Sequence, residues 1–483
     1  MKKERVLSSL LFKFLERCGV QGIQFVVGII LARILSPEDY GLLAIVMIFT
    51  TLANVFIQTG ISTALVQNKE TIETDYSTVF YVNFGISAIL YGVLFYAAPL
   101  VARLYDNEQL ILMLRVLSVI LFFGAYNSIV NARLTRAMQF KIILKRSLIS
   151  SCISGLIGIT LALWGAGIWA LIVQQIMAYF CESLILIITV RWIPKLCFQI
   201  DRAKVLLDFG WKLTLSAFID ALYKELRSVL IGKKYAPDVL GYYNRARQFP
   251  QLLVTNINGT IQTVMLPVLS GYQDKKEKLK SVMRRSIKTS TFIVFPMLAG
   301  LAAVAPGLIK ILLTEKWMPC VRILQLLCVN MAFYPIFTAN LQAINAVGRT
   351  DIYLKLEIIK KTISVLILTI AYFVFESIYA IVIGGIIGTV LESVVNAYPN
   401  RTLLSYSYIE QIKDILPAVG LSVIMFGIVT LIGELSLPIL LLLIIQVLVG
   451  VATYISMAKL FRVECFKYLI STIKSLTKKI GFY

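Results

Sequence analysis

Four stretches of this chain place ionisable and amide side chains at helical spacing inside otherwise apolar runs. One carries Lys13, Arg17, Gln21, Gln24 and Gly28, and the next carries Thr51, Asn54 and Gln58. A third carries Lys212, Ser216, Asp220, Lys224 and Arg227, and a fourth carries Asn244, Gln248, Gln251, Thr255, Asn258 and Gln262. Steps of three and four residues put each set on one helix face. Guanidinium and ammonium groups suit an anionic ligand such as a diphosphate, because guanidinium binds phosphate oxygens in pairs. Arg17, Lys212, Lys224 and Arg227 are therefore the candidate diphosphate-binding residues. Lys13 and the amides and hydroxyls of the first, second and fourth faces suit the walls of a cavity for sugar hydroxyls. Asp220 fits two roles, ion coupling or a salt bridge to Lys224 one turn on. Glu182 and Glu392, each followed by serine, fit either ion coupling or hydrogen bonding between helices.

Other chemistries lack their residues. The chain has no histidine, which removes the commonest general base and metal ligand. Its seven cysteines show no metal spacing and mostly fall in apolar runs, as packing residues do. No nucleophile–base pair or nucleotide-binding loop is visible. These absences argue against an enzyme and against any cofactor or metal site. A coupling ion, proton or sodium, stays open.

The elements that must hold these faces are membrane helices. Of 483 residues, 58% are hydrophobic, and the mean hydropathy is +0.82; soluble domains sit near half apolar. Apolar runs long enough for a hydrocarbon core of about 30 Å recur from end to end. Spans are predicted near 9–31, 41–66, 77–101, 109–131, 147–165, 168–190, 208–231, 241–269, 286–305, 320–345, 353–374, 378–398, 414–433 and 436–458. The fold class is thus an all-α polytopic membrane protein of about 14 transmembrane helices. Lys13, Glu16 and Arg17 interrupt the first run, so it reads as a span rather than a cleavable signal. The net charge is +21. Most Lys and Arg lie in loops on the side of the N-terminus, against Arg33, Arg103, Lys233, Lys234, Lys310 and Lys316 opposite. By the positive-inside rule both termini are cytoplasmic. The basic surplus faces anionic lipid, not nucleic acid.

The chain also repeats itself. Ser36-Pro37-Glu38-Asp39-Tyr40-Gly41 returns as Ala236-Pro237-Asp238-Val239-Leu240-Gly241. Leu114-Arg115-Val116-Leu117 returns as Val321-Arg322-Ile323-Leu324, and Asn131-Ala132 as Asn345-Ala346. Gly167-Ile168-Trp169-Ala170 returns as Ser377-Ile378-Tyr379-Ala380, and Glu182-Ser183 as Glu392-Ser393. Matches in the same order indicate duplication. The reading is a lobe of spans 1–6 over residues 1–200, a second of spans 7–12 over 201–400, and spans 13–14 with a basic tail over 401–483. Such repeats place a site between the lobes. A mid-bilayer charge costs about 2.5–3.5 kcal/mol even on gentle scales. Both lobes accept that cost on their first helix pair, which favours a wet cavity over polar glue between helices.

The segment Ala32-Arg33-Ile34-Leu35-Ser36-Pro37-Glu38-Asp39-Tyr40-Gly41 resembles the join between the first two helices of the polysaccharide transport family. Ile231-Gly232-Lys233-Lys234 through Leu240-Gly241-Tyr242-Tyr243-Asn244-Arg245-Ala246 resembles its second-lobe counterpart. Glu315-Lys316-Trp317, followed by Val321-Arg322-Ile323-Leu324-Gln325, resembles the segment before its tenth helix. This family belongs to the multidrug/oligosaccharidyl-lipid/polysaccharide exporter superfamily. The resemblance implies two six-helix lobes in a V shape with alternating access. It also implies a bacterial cytoplasmic-membrane flippase for undecaprenyl-diphosphate-linked oligosaccharide, with a cationic cavity that Arg17 fits. One departure stands out: many relatives carry an acid where this chain reads Leu226-Arg227-Ser228-Val229.

The expected function is therefore export of a lipid-linked oligosaccharide by a monomer, with membrane lipids and other polysaccharide assembly proteins as partners. A cation-coupled multidrug exporter of the same fold is the alternative. A membrane polymerase or ligase is a third reading; those usually present a large external loop, and the loop near 305–319 is short.

Overall fold

The computed structural model describes residues 3–67, 71–272 and 275–471. These residues are overwhelmingly helical, with no β-strand among those described. The helices are α1 (Lys3–Ile34), α2 (Pro37–Gln58), α3 (Ile61–Gln67), α4 (Glu73–Leu104), α5 (Gln109–Leu117), α6 (Ile120–Arg136), α7 (Phe140–Leu163), α8 (Ile168–Val190) and α9 (Ile200–Lys234). They continue as α10 (Pro237–Ser270), α11 (Lys276–Leu313), α12 (Cys320–Ala332), α13 (Tyr334–Ala346), α14 (Thr350–Val374), α15 (Ile378–Ala397), α16 (Asn400–Leu403), α17 (Tyr408–Ile432) and α18 (Ile439–Leu460). A 3-10 turn, Glu315–Trp317, precedes α12.

Eleven helical segments of the described chain are long and apolar enough to cross a membrane. Three further long helices, α9, α10 and α14, carry more polar residues. With them the described residues hold the fourteen long segments that the hydropathy pattern predicts. Helices α9 and α10 are less apolar because each carries one of the polar faces. Rows of large apolar side chains stay exposed, such as Ile89, Val93, Tyr96 and Leu100 on α4 and Leu440, Leu448 and Val451 on α18. In water such rows would be an aggregation hazard; in a bilayer they are the lipid face.

Several spans are broken where the sequence reading draws one helix. Span 2 ends at Gln58 and resumes as α3, because Gly60 adopts φ +66, a conformation that glycine takes without steric cost. A Cβ there would also lie 2.0 Å from the Thr214 hydroxyl of α9. Spans 4 and 10 also break, between α5 and α6 and between α12 and α13. Pro335 sits in the first turn of α13, where its missing N–H is no loss. Between α5 and α6, Ser118 Oγ donates to the Leu114 carbonyl at 2.6 Å and competes for the helix ladder. Pro99, Pro296 and Pro417 lie inside α4, α11 and α17, and Pro250 lies within α10.

By contacts the chain forms two compact units, Met1–Gly241 and Tyr242–Tyr483. In the first, α7 packs on α1 and α8, and α2 packs on α6 and α9. Helix α9, which the repeat makes the head of the second copy, thus lies in the first unit by its contacts. Small clusters such as Ala53, Ile57, Leu94, Leu121 and Ala125 form its core. In the second, α11 packs on α12, α13, α17 and α18, and α14 packs on α15. Its core runs from Met283 and Ile287 to Tyr406 and Tyr454, and Tyr454 donates to the Phe292 carbonyl at 2.8 Å.

The strongest repeat motif turns out to be a packing seam. Ser36 caps α2 in a capping box with Asp39, the Asp39 N–H donating to Ser36 Oγ at 3.2 Å. Five residues after Ser36 in each copy stands glycine. A Cβ on Gly41 would lie 1.7 Å from the Pro237 carbonyl, and one on Gly241 would lie 2.1 Å from the Pro37 carbonyl. The two copies therefore meet backbone to backbone and reciprocally, which only glycine permits.

Candidate functional site

On α1, the side that packs on α7 holds Val27 and Leu31, both buried. Lys13, Arg17 and Gln24 are exposed, and Gln21 is half-buried. Lys13 forms an ion pair with Glu16 at 2.6 Å. On α9, the face against α2 carries Phe218, whose ring lies 5.0 Å from that of Phe56. The polar face lies beside it, with Lys212, Ser216 and Lys224 exposed and Asp220 and Arg227 half-buried. Lys224 and Asp220 form the one-turn pair, at 2.7 Å. Being largely exposed, this pair is worth little energy by itself.

The α2 face divides. Thr51 and Gln58 are exposed, but Asn54 is buried. Asn54 Nδ2 donates to the Tyr179 hydroxyl of α8 at 3.1 Å, and Gln58 Nε2 donates to Asn54 Oδ1 at 3.4 Å. Asn54 is thus a tie between helices. Gln58 instead lines a cavity of about 510 Å³ with Ser62, Thr63, Asn131, Thr135 and Glu182. Glu182 pairs with Arg146 of α7 at 2.8 Å, and the guanidinium is buried. Arg146 Nη1 also donates to Asn131 Oδ1 of α6. Ser147 Oγ, which accepts from Arg146 Nη2 at 3.1 Å, donates to Glu16 of α1 at 3.1 Å. One polar network thereby links α1, α6, α7 and α8.

In the second unit, Gln251 and Gln262 of α10 are exposed, while Asn244, Gln248, Thr255 and Asn258 are half-buried. Gln248 accepts from the buried Arg245 at 2.6 Å. Glu392 accepts from Ser364 of α14 at 2.5 Å. Lys360, also buried, pairs with Glu357 on its own helix at 2.5 Å.

Two arrangements escape sequence reasoning. Arg146 reads as part of a basic loop, because the hydropathy boundary falls at 147; the structure starts α7 at Phe140. Only its spacing from Asn131, matched by Lys360 and Asn345, signals it. The other is Asp414 of α17, buried and held by Arg284 of α11 through two hydrogen bonds at 2.6 and 2.7 Å. Lys288 lies 3.3 Å away, and the Tyr406 hydroxyl donates to it at 2.7 Å. Burial, and after it this hydrogen bond, raises the Tyr406 hydroxyl above its ordinary value. The cluster fastens the added helices to α11.

With this geometry in view, the chain can be compared with known proteins. The family described as polysaccharide biosynthesis protein matches it over residues 30–322, from the end of α1 into α12. The chain belongs to this family. Among curated proteins, the lipopolysaccharide biosynthesis protein WzxC of Escherichia coli K12 is 25% identical over 84% of this chain and 80% of its own. The succinoglycan biosynthesis transport protein ExoT of Rhizobium meliloti 1021 is 25% identical over 82% and 78%. Among solved structures, the lipid II flippase MurJ in an inward closed conformation gives a TM-score of 0.75 at 18% identity, covering 95% of this chain and 100% of its own. That likeness gives the fold. The family member in hand is thus a multi-pass helical membrane protein of polysaccharide biosynthesis. The motif from Ala32 to Gly41 that carries the sequence resemblance lies inside the matched region, and so does the glycine seam.

Proposed function

We propose that this chain is a flippase, not an enzyme, that carries an undecaprenyl-diphosphate-linked oligosaccharide from the cytoplasmic to the outer leaflet by alternating access. The observation that carries the reading is the exposure of Arg17, Lys212 and Lys224 on helices whose other faces pack. Cations kept at such positions carry a cost in the membrane, and guanidinium and ammonium groups there suit an anionic diphosphate. In this reading Arg17 and Lys212 receive the diphosphate, and Lys224 and Arg227 follow it deeper. Lys13, Gln21, Gln24, Thr51 and Gln58 flank the saccharide in the first unit, and Asn244, Gln248, Gln251, Thr255, Asn258 and Gln262 in the second. Asp220, Glu182 and Glu392 are the candidates for coupling to a proton or sodium gradient; no other cofactor is needed. The protein acts as a monomer in the bacterial cytoplasmic membrane, with both termini inside.

The test is complementation of a strain lacking its flippase. Arg17→Ala combined with Lys212→Ala should lower surface polysaccharide at least tenfold at unchanged protein level, while lipid-linked intermediate accumulates. Full surface polysaccharide in the double variant would overturn the diphosphate assignment.

A further inference from the structure

The polar cavity of the first unit has a composition that transport of a lipid diphosphate alone does not require. We propose that it binds an uncharged sugar unit of the transported saccharide, with Arg146 as the positioning residue behind it; this rests on the flippase reading and sharpens it. The cavity, about 510 Å³ between α2, α3, α6 and α8, falls within the range of about 300–1,000 Å³ typical of small-ligand sites. Its inner polar groups are consumed by the fold: Ser62 Oγ donates to Ser128 Oγ at 3.3 Å, and Ser183 Oγ donates to Asn127 Oδ1 at 2.8 Å. Its rim is engaged only in part, Gln58 Nε2 with Asn54, and Asn131 Oδ1 and Glu182 with Arg146. Gln58 and Thr135 are exposed, and Thr63, Asn131 and Glu182 are half-buried. Two amides, two hydroxyls and a carboxylate around one opening supply the alternating donors and acceptors that ring hydroxyls need.

Charge narrows the ligand. Among the described lining residues, Glu182 is the one that carries a full charge. Its counter-ion Arg146 stands behind the wall, already engaged with Glu182 and Asn131. An acidic sugar would set its carboxylate against Glu182 with no cation in the lining to offset it; a neutral hexose or N-acetylhexosamine would not. The guanidinium fork fixes both an amide and a carboxylate at once, which a lysine ammonium at that place does less well.

The experiment uses the full chain in lipid nanodiscs carrying Thr135→Cys at the rim. Alkylation by N-ethylmaleimide at that position is followed by peptide mass spectrometry, which separates it from the seven native cysteines. The probes are undecaprenyl diphosphate alone and the same lipid bearing glucose, galactose, N-acetylglucosamine or glucuronic acid. Binding of the bare lipid is measured in parallel by native mass spectrometry. At least one neutral-sugar lipid should slow alkylation about tenfold, the bare lipid and the glucuronic acid lipid less than twofold. Bare lipid that binds, with no neutral sugar giving protection, overturns the sugar site and leaves the flippase reading standing. Bare lipid that does not bind overturns both. Arg146→Lys should keep bare-lipid binding and lose the sugar protection. Unchanged protection in that variant removes Arg146 from the proposal, and equal loss of both makes its role purely structural.

Discussion

The two units hold equivalent positions of the repeat and use them differently. Arg146 and Lys360 stand 15 residues after Asn131 and Asn345, and Glu182 and Glu392 stand in matched helices. In the first unit, Arg146 reaches Glu182 and Asn131, tying three helices around an open polar cavity. In the second, Lys360 turns to Glu357 on its own helix, and Glu392 takes its hydrogen bond from Ser364. The long-range ionic tie there is built elsewhere, on Asp414 of α17. The cavity of about 750 Å³ beside α17 is lined by Phe295, Leu298, Val419 and Phe426 and is mostly apolar. The planar guanidinium of Arg146 presents a fixed fork to acceptors on two helices, whereas the Lys360 ammonium meets Glu357 on its own helix. Arginine at this position accompanies a polar wall in the first unit, and lysine a local pair in the second.

The contrast can be broken by mutation. Arg146→Ala leaves Glu182 without its counter-ion, and loss of one partner of a buried pair costs about 3–5 kcal/mol. Lys360→Ala should cost clearly less, because Lys360 and Glu357 stand three residues apart on one helix, so breaking their pair opens no tie between helices. Fluorescence-detected size exclusion after heating compares the two; equal midpoints would erase the distinction. Asp414→Asn weakens the fastening of α17, and a hydrogen bond to a charged group is worth about 1.5–3 kcal/mol. Limited proteolysis should then release α17 and α18 while the first unit stays resistant. The smallest difference is expected where the copies remain alike. Gly41→Ala and Gly241→Ala each force a methyl into a backbone carbonyl, and overpacking costs about 1–3 kcal/mol. Both should lower complementation to a similar degree, with Gly22→Ala, which has open space around it, as the silent control. A difference between the two glycines would show that the seam is not symmetric in energy.

Much of this protein is legible along the chain. Apolar runs mark the long segments, because a bilayer demands continuous hydrophobic length. Polar side chains at steps of three and four mark the faces of α1, α9 and α10, because helical periodicity is a local property. The duplication is legible because its motifs keep their order. Even the glycines of the seam are visible, though not the reason for them.

The partners across helices are not legible. Thr51, Asn54 and Gln58 share one spacing, yet Asn54 is buried against Tyr179 while its neighbours are exposed. Arg146 looks like one more loop cation, and Asp414 like an ordinary residue near a span end. Composition and period determine which residues share a face, since those depend on near neighbours in sequence. Which face meets which depends on how separate helices pack, and on whether a charge finds its counter-ion within hydrogen-bond reach. For the diphosphate candidates the sequence by itself determined that cations recur on α1 and α9. Only the tertiary structure decided that Arg146, outside those faces, holds the wall of the polar cavity, because a buried charge must be satisfied by whatever packing brings to it.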